Sequence, residues 1–126
     1  MHRSRIGSIV IDCDDIEAGE RFWSQALAAK ARPKGEQYVT LGQEAGGLRV
    51  LLQKVPEPKT AKSRMHLDIE TDDVEAEVRR LEGLGARRVR QTGGHTWLMH
   101  DPCGNEFCVV KPESEGFPEW TCTWDT

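Results

Sequence analysis

Long apolar runs are missing from this chain of 126 residues; stretches such as Val50-Leu51-Leu52 are far too short to cross a bilayer, so no membrane partner is expected. Positive charge is not in excess either. Lys and Arg number 17 against 21 Asp and Glu, and a net charge of -4 removes the electrostatic case for a nucleic-acid partner. No CxxC pair occurs among Cys13, Cys103, Cys108 and Cys122, and an even count alone does not make a disulfide framework in a chain of this size. The cysteines are read as reduced thiols of a cytoplasmic protein, with Cys108 at least acting as a small buried apolar residue. The basic start, Met1-His2-Arg3-Ser4-Arg5, leads only into Ile6-Gly7-Ser8-Ile9-Val10-Ile11 before Asp12, too brief for the apolar region of a secretion signal.

What remains suits one small domain over residues 1–126, with 37% hydrophobic and 30% charged residues and enough length for a core without metal or disulfide staples. Its main feature is an internal repeat. Ile9-Val10-Ile11-Asp12-Cys13-Asp14-Asp15-Ile16-Glu17-Ala18 matches Leu67-Asp68-Ile69-Glu70-Thr71-Asp72-Asp73-Val74-Glu75-Ala76 at a constant offset of 58. Each copy reads as a strand running into a helix. Asp14 with Glu17, and Asp72 with Glu75, supply the spacing of a capping box and place acidic charge at the positive helix end.

Apolar spacing predicts a first helix over about Asp15 to Ala28, carrying Ile16, Phe22, Trp23, Ala26 and Leu27 on one stripe. A second is predicted over about Asp73 to Leu84, with Val74, Val78, Leu81 and Leu84 inward and Gly85 as the left-handed stop. Short strands follow each helix: Gln37 to Leu41 and Leu48 to Lys54, then Arg87 to Gln91, Thr96 to His100 and Glu106 to Val110, with a weaker signal at Ala31 to Pro33. Gly46-Gly47, Gly93-Gly94 and a type I turn at Asp101-Pro102-Cys103-Gly104 separate them. The fold class is therefore α+β: two paired βαβββ modules, at about 5–56 and 64–112, forming a curled mixed sheet around a cleft. Residues 57–63 link them and 113–126 form a tail. Strand alternation puts Ile9, Ile11, Leu67 and Ile69 under the helices and turns Ser8, Val10, His66 and Asp68 to the concave face, where a small ligand usually binds.

On Phe22-Trp23, on Arg64-Met65-His66-Leu67-Asp68-Ile69 and on Asp101-Pro102-Cys103-Gly104-Asn105-Glu106-Phe107, the chain resembles the vicinal oxygen chelate superfamily. That group includes glyoxalase I, the bleomycin and fosfomycin resistance proteins and the extradiol dioxygenases, and the nearest likeness is to bacterial glyoxalase-like domains. The resemblance implies paired modules, a homodimer and, in metal-dependent members, one divalent ion held by four inward side chains from the first and last strands of both modules. Carried over residue by residue, those positions hold His66, its repeat partner Ser8, then Cys108, and either Leu51 or, with a register two residues on, Gln53. His66 is a competent ligand, whereas a serine hydroxyl and a leucine are not substitutes for imidazole or carboxylate. No cofactor is therefore expected. The alternative is one divalent ion held by His66 and Glu106 if the register differs.

His66 and Asp68, two apart on one strand, are the first candidates for polar recognition of a ligand, ahead of a role as an acid–base pair. Arg49 and Gln53 alternate with Val50 and Leu52 and so face the cleft, with Ser8 and Cys108 beside them. Trp97 and Tyr38 are candidate walls for stacking on a planar ligand. His95 and His100, at odd spacing, read as surface residues, and Trp120, Trp124 and Phe117 as a tail packing over a sheet edge or a dimer partner. The arginines at 79–80 and 87–90 read as a complement to the helix C-terminal end rather than a nucleic-acid patch. The reading that results is a glyoxalase-like, bleomycin-resistance-like binder of a small organic molecule without an intact metal centre. Its alternatives are a divalent-metal lyase, isomerase or dioxygenase, and a non-catalytic interaction domain.

Overall fold

The computed structural model describes residues 1–3, 8–42, 49–113, 116–117, 119 and 121–125. The expected start of the first module near Arg5, the Gly46-Gly47 loop, Leu48 and Trp120 lie outside them. The first module runs β1 (Ile9–Cys13), α1 (Ile16–Ala26), β2 (Lys30–Lys34), β3 (Tyr38–Gly42) and β4 (Val50–Lys54). The second repeats the order with β5 (Leu67–Glu70), α2 (Val74–Gly83), β6 (Arg87–Thr92), β7 (Thr96–His100) and β8 (Glu106–Val110). Each makes a four-stranded, unclosed sheet, β1-β4-β3-β2 and β5-β8-β7-β6, in which the first and last strands pair in parallel and the others antiparallel. The helix is the crossover that a parallel pair requires. Among the described residues no helix is long and apolar enough to span a membrane.

Both helices begin one residue later than the capping-box spacing suggests. Asp15 and Asp73, not Asp14 and Asp72, are the caps: each is extended, and its carboxylate accepts from the backbone N–H three residues on, at Ala18 and Ala76. Two consecutive aspartates precede each helix, and the second stands where its carboxylate meets a free donor. Gly85, at φ +115, takes the left-handed position after α2 as expected.

The helix-facing residues of both sheets meet in one buried core. At its centre Phe22, Trp23 and Phe107 pack as an aromatic trio, with ring centroids 5.0, 5.8 and 5.4 Å apart. Two of these rings come from α1 and the third from β8, so the trio joins the modules. Polar contacts reinforce the joint. The Trp23 indole donates to buried Asp101 at 2.8 Å, and the Asn105 amide donates to the Asp12 carbonyl at 2.9 Å. Asp101 also accepts from the N–H groups of Cys103 and Asn105 and from the Asn105 side chain, so the Asp-Pro-Cys-Gly-Asn turn is a docking element for α1. Arg80 of α2 donates to the Gln25 and Ala26 carbonyls, satisfying the last turn of α1 rather than that of its own helix.

Two expectations need correction. Trp124 of the tail stacks on the Arg80 guanidinium at 3.8 Å, on the helix layer and not on a sheet edge. Cys13, not Cys108, is the fully buried cysteine; Cys108 is half-buried and faces away from the helices.

Candidate functional site

Alternation along β5 and β8 decides which side chains leave the core. Leu67, Ile69, Phe107 and Val109 turn to the helix side, while Asp68 and Cys108, direct partners across the parallel pair, turn to the open face. His66 immediately precedes β5 and reaches the same spot, its Nε2 3.2 Å from Asp68 Oδ1. One potential ligating atom from each of His66, Asp68 and Cys108 lies within 4.8 Å of the others. The His66 and Asp68 side chains stay 51% and 45% exposed, so the cluster is open to an incoming molecule. Burial and the negative charge of Asp68 push the Cys108 thiol up, which keeps it a neutral, weakly polar neighbour near pH 7.

The strand register of the first sheet shows what its corresponding face offers. Val10 pairs with Leu51 as Asp68 pairs with Cys108, and Val10 and Asp68 are equivalent in the repeat. Leu51 is therefore the counterpart of Cys108, and Gln53, two residues on, corresponds to Val110. The open face of this sheet carries Ser8 ahead of β1, Arg49 ahead of β4, and Gln53 directly opposite Tyr38. The candidate ligand residues thus divide between two sheets: His66, Asp68 and Cys108 on one, Ser8, Arg49, Gln53 and Tyr38 on the other. Trp97 belongs to neither group. It pairs with Val109, shares the helix side with Met99 and packs against the core under the Arg88 guanidinium, 4.9 Å from its ring centroid. It is not a wall of the open face.

Beside the His66 cluster lies a hollow of about 650 Å³ between the linker and β6, β7 and β8. Its lining includes Lys59, Lys62, Arg87, Arg90, His100 and Glu106, with Val89 and Leu98 as apolar surface. Leu98 is the cross-strand partner of Cys108, and His100 that of Glu106, so the hollow and the cluster share one continuous face. The arginines reach it through a β-bulge. The β6–β7 pairing joins Arg87 to His100 and Arg88 to Met99, then slips so that Arg90 meets Leu98, leaving Val89 as the extra residue. Plain alternation would put Arg87 and Arg90 on opposite faces; the bulge puts both over the hollow, while Arg88 turns to the helix side and pairs with Glu75 and Glu82.

Glu106 is already engaged. Burial acts to raise its carboxyl, but hydrogen bonds from Lys59 at 2.8 Å and from the Ser63 N–H outweigh this and hold it at about 2. Strand spacing identified the open face but missed Arg87, Arg90, His100 and the linker lysines, because no polar/apolar pattern announces a bulge or the path of a linker.

Set beside known proteins, residues 8–110 match the family described as the glyoxalase-like domain. No curated protein matches the chain in sequence. Among solved structures it is similar to a glyoxalase-related enzyme from Fulvimarina pelagi, with TM-score 0.68 and 14% identity over 87% of this chain and 89% of that one. It is also similar to a variant of the fosfomycin resistance protein FosX from Listeria monocytogenes, solved with Mn(II) and 1S,2S-dihydroxypropylphosphonic acid, with TM-score 0.67 and 14% identity over 86% and 90%. A glyoxalase/bleomycin resistance protein/dioxygenase family enzyme from Burkholderia phytofirmans gives TM-score 0.65 and 18% identity over 84% and 97%. At these identities the likeness to solved structures is one of fold.

Proposed function

The chain belongs to the glyoxalase-like family of the vicinal oxygen chelate superfamily, and from that premise we propose that it binds a small organic molecule on the open face of its second module, without the metal centre of metal-dependent members. The observation that carries this reading is the one-sided distribution of donors. Such a centre draws side chains from both modules, yet where the second module presents His66, Asp68 and Cys108, the first presents Ser8, Val10 and Leu51. Valine and leucine have no atom to give a cation, and a serine hydroxyl is a poor ligand for a divalent ion. The family's four-donor arrangement does not fit these residues.

What the cluster can do is recognise a polar group. Asp68 fixes the His66 imidazole through the 3.2 Å contact to Nε2, which leaves Nδ1 and the second Asp68 oxygen for a ligand, and both side chains remain half exposed. The supporting test is a thermal-shift screen of organic compounds together with Ni, Zn and Mn salts. Organic compounds are expected to stabilise the protein, and His66→Ala or Asp68→Asn to remove the effect. Stabilisation by metals alone overturns the reading. A second reading, one divalent ion held by the second module, is favoured by the mutual approach of His66, Asp68 and Cys108. In that case metal analysis of purified protein returns one equivalent, lost in His66→Ala. Glu106 has no place in such a set, because Lys59 and Ser63 hold its carboxylate.

The working form is proposed to be a homodimer. On the open face of the first sheet Val10, 47% exposed, pairs with Leu51 across β1 and β4, an apolar patch that a second copy would cover. Light scattering that finds only monomer at working concentration refutes this.

A further inference from the structure

We propose that the hollow between the linker and β6, β7 and β8 is an anion subsite, so that the ligand is a small organic acid bearing a carboxylate, phosphate or phosphonate. The inference rests on the small-molecule reading above and specifies its ligand class. The chain as a whole is acidic, with a net charge of -4, yet this hollow gathers Lys59, Lys62, Arg87 and Arg90 against a single carboxylate, Glu106. Lys59 offsets that carboxylate directly, at 2.8 Å. Lys62, Arg87 and Arg90 form no ion pair among the described residues, which leaves three uncompensated positive charges in one concavity.

Among the arginines nearest in sequence, Arg80 pairs with Glu77 and Arg88 with Glu75 and Glu82, whereas Arg87 and Arg90 over the hollow meet no carboxylate among the described residues. The bulge at Val89 creates the difference, since it brings a second guanidinium round to the open face beside Arg87. Arg87 is steadied by His100, whose Nδ1 lies 3.3 Å from its NH2. Two planar guanidinium groups and a lysine suit the oxygens of a carboxylate or a phosphoryl group, each contact being a charge-assisted hydrogen bond. Val89 and Leu98 supply apolar surface for the body of the molecule, and the volume of about 650 Å³ suits a small ligand. Because Leu98 is the strand partner of Cys108, a ligand anchored by its anionic end extends directly towards Asp68 and His66.

The test is calorimetric titration of the full chain at fixed ionic strength with benzoate, phenylphosphonate and the neutral analogue benzamide. Benzoate or phenylphosphonate is expected to bind saturably and benzamide about ten-fold more weakly or worse, and the preferred head group separates a carboxylate from a phosphoryl ligand. The double variant Arg87→Gln, Arg90→Gln is expected to lower anion affinity by about ten-fold or more, and Lys62→Gln, on the linker and away from the sheet, to lower it by a smaller factor. Equal binding of benzoate and benzamide, or anion binding unchanged in both variants, overturns the proposal. If a neutral compound binds in a His66-dependent way and no anion does, the anion subsite falls while the small-molecule reading stands. If no compound of any charge binds, both fall.

Discussion

Replacing Trp23 by Phe deletes one hydrogen-bond donor from the joint between the modules while leaving an aromatic ring in place. Trp23 is 1% exposed and Asp101 4% exposed, and their 2.8 Å contact is a buried bond to a carboxylate. Such bonds contribute about 1.5–3 kcal/mol each, and the smaller ring adds a cavity cost, so Trp23→Phe is expected to destabilise by about 2–3 kcal/mol. Asp101→Ala removes the acceptor not only of the indole but also of the Cys103 and Asn105 N–H groups and the Asn105 amide. Its cost is expected to reach about 3–5 kcal/mol, because these donors are left without their partner in or near the core. Urea unfolding measures both. With a slope of about 2 kcal/mol/M for a domain of this size, the midpoints drop by about 1 M and about 2 M. The double variant carries the decisive number: both single changes break the same bond, so their costs should overlap by about 1.5–3 kcal/mol, and Asp101→Asn completes the cycle if Asp101→Ala fails to fold. Costs that add to within about 0.5 kcal/mol would refute the claim that this bond couples α1 to the β7–β8 turn.

Two other perturbations follow from the same packing. Glu106, held at about 2 against an ordinary 4.5, stabilises the fold fully above pH 4.5, and the contribution is lost as pH falls from there towards 2. Lys59→Met removes one of the bonds that lower it, so the acid-unfolding midpoint followed by circular dichroism should move to higher pH; an unmoved midpoint would count against the Lys59–Glu106 contact. Gly19 sits in α1 where an added Cβ would lie 2.6 Å from the buried Cys13 sulfur. Gly19→Ala should therefore destabilise by about 1–2 kcal/mol even though alanine is the better helix former by about 1 kcal/mol. In a Cys13→Ala background the same change should become neutral or stabilising, and thermal melts of the four proteins would show the reversal of sign.

Much of this architecture was legible because the repeat is written in local chemistry. Strand alternation at Ile9-Val10-Ile11 and Leu67-Asp68-Ile69, the apolar stripes of both helices and the Asp-Pro-Cys-Gly turn all appear in the structure near the expected positions. Each of these signals acts over a few residues. The errors arise where that condition fails. Consecutive aspartates offer two caps of equal chemistry, and only the backbone geometry selects Asp15 and Asp73. In β7, neither Thr96, Leu98 and His100 nor Trp97 and Met99 form a cleanly polar set, so the face of Trp97 could not be read from the pattern.

The candidate site shows the same boundary between local and non-local information. His66, Asp68 and Cys108 converge because two strands pair in parallel, and the repeat offset was enough to anticipate the first two. The basic hollow depends instead on a one-residue slip in β6 and on a linker that returns across β8 to place Lys59 against Glu106. Neither leaves a periodic trace. The consequence for function is that the two modules share a core pattern but not an open face: selection for packing acts alike on both copies, whereas nothing in packing requires Asp68 where the first copy has Val10, or an arginine pair on one bulged strand. His66, Asp68 and Cys108 converge on one copy of a duplicated fold while the equivalent places on the other hold Ser8, Val10 and Leu51, so any chemistry of these three side chains belongs to the second module alone.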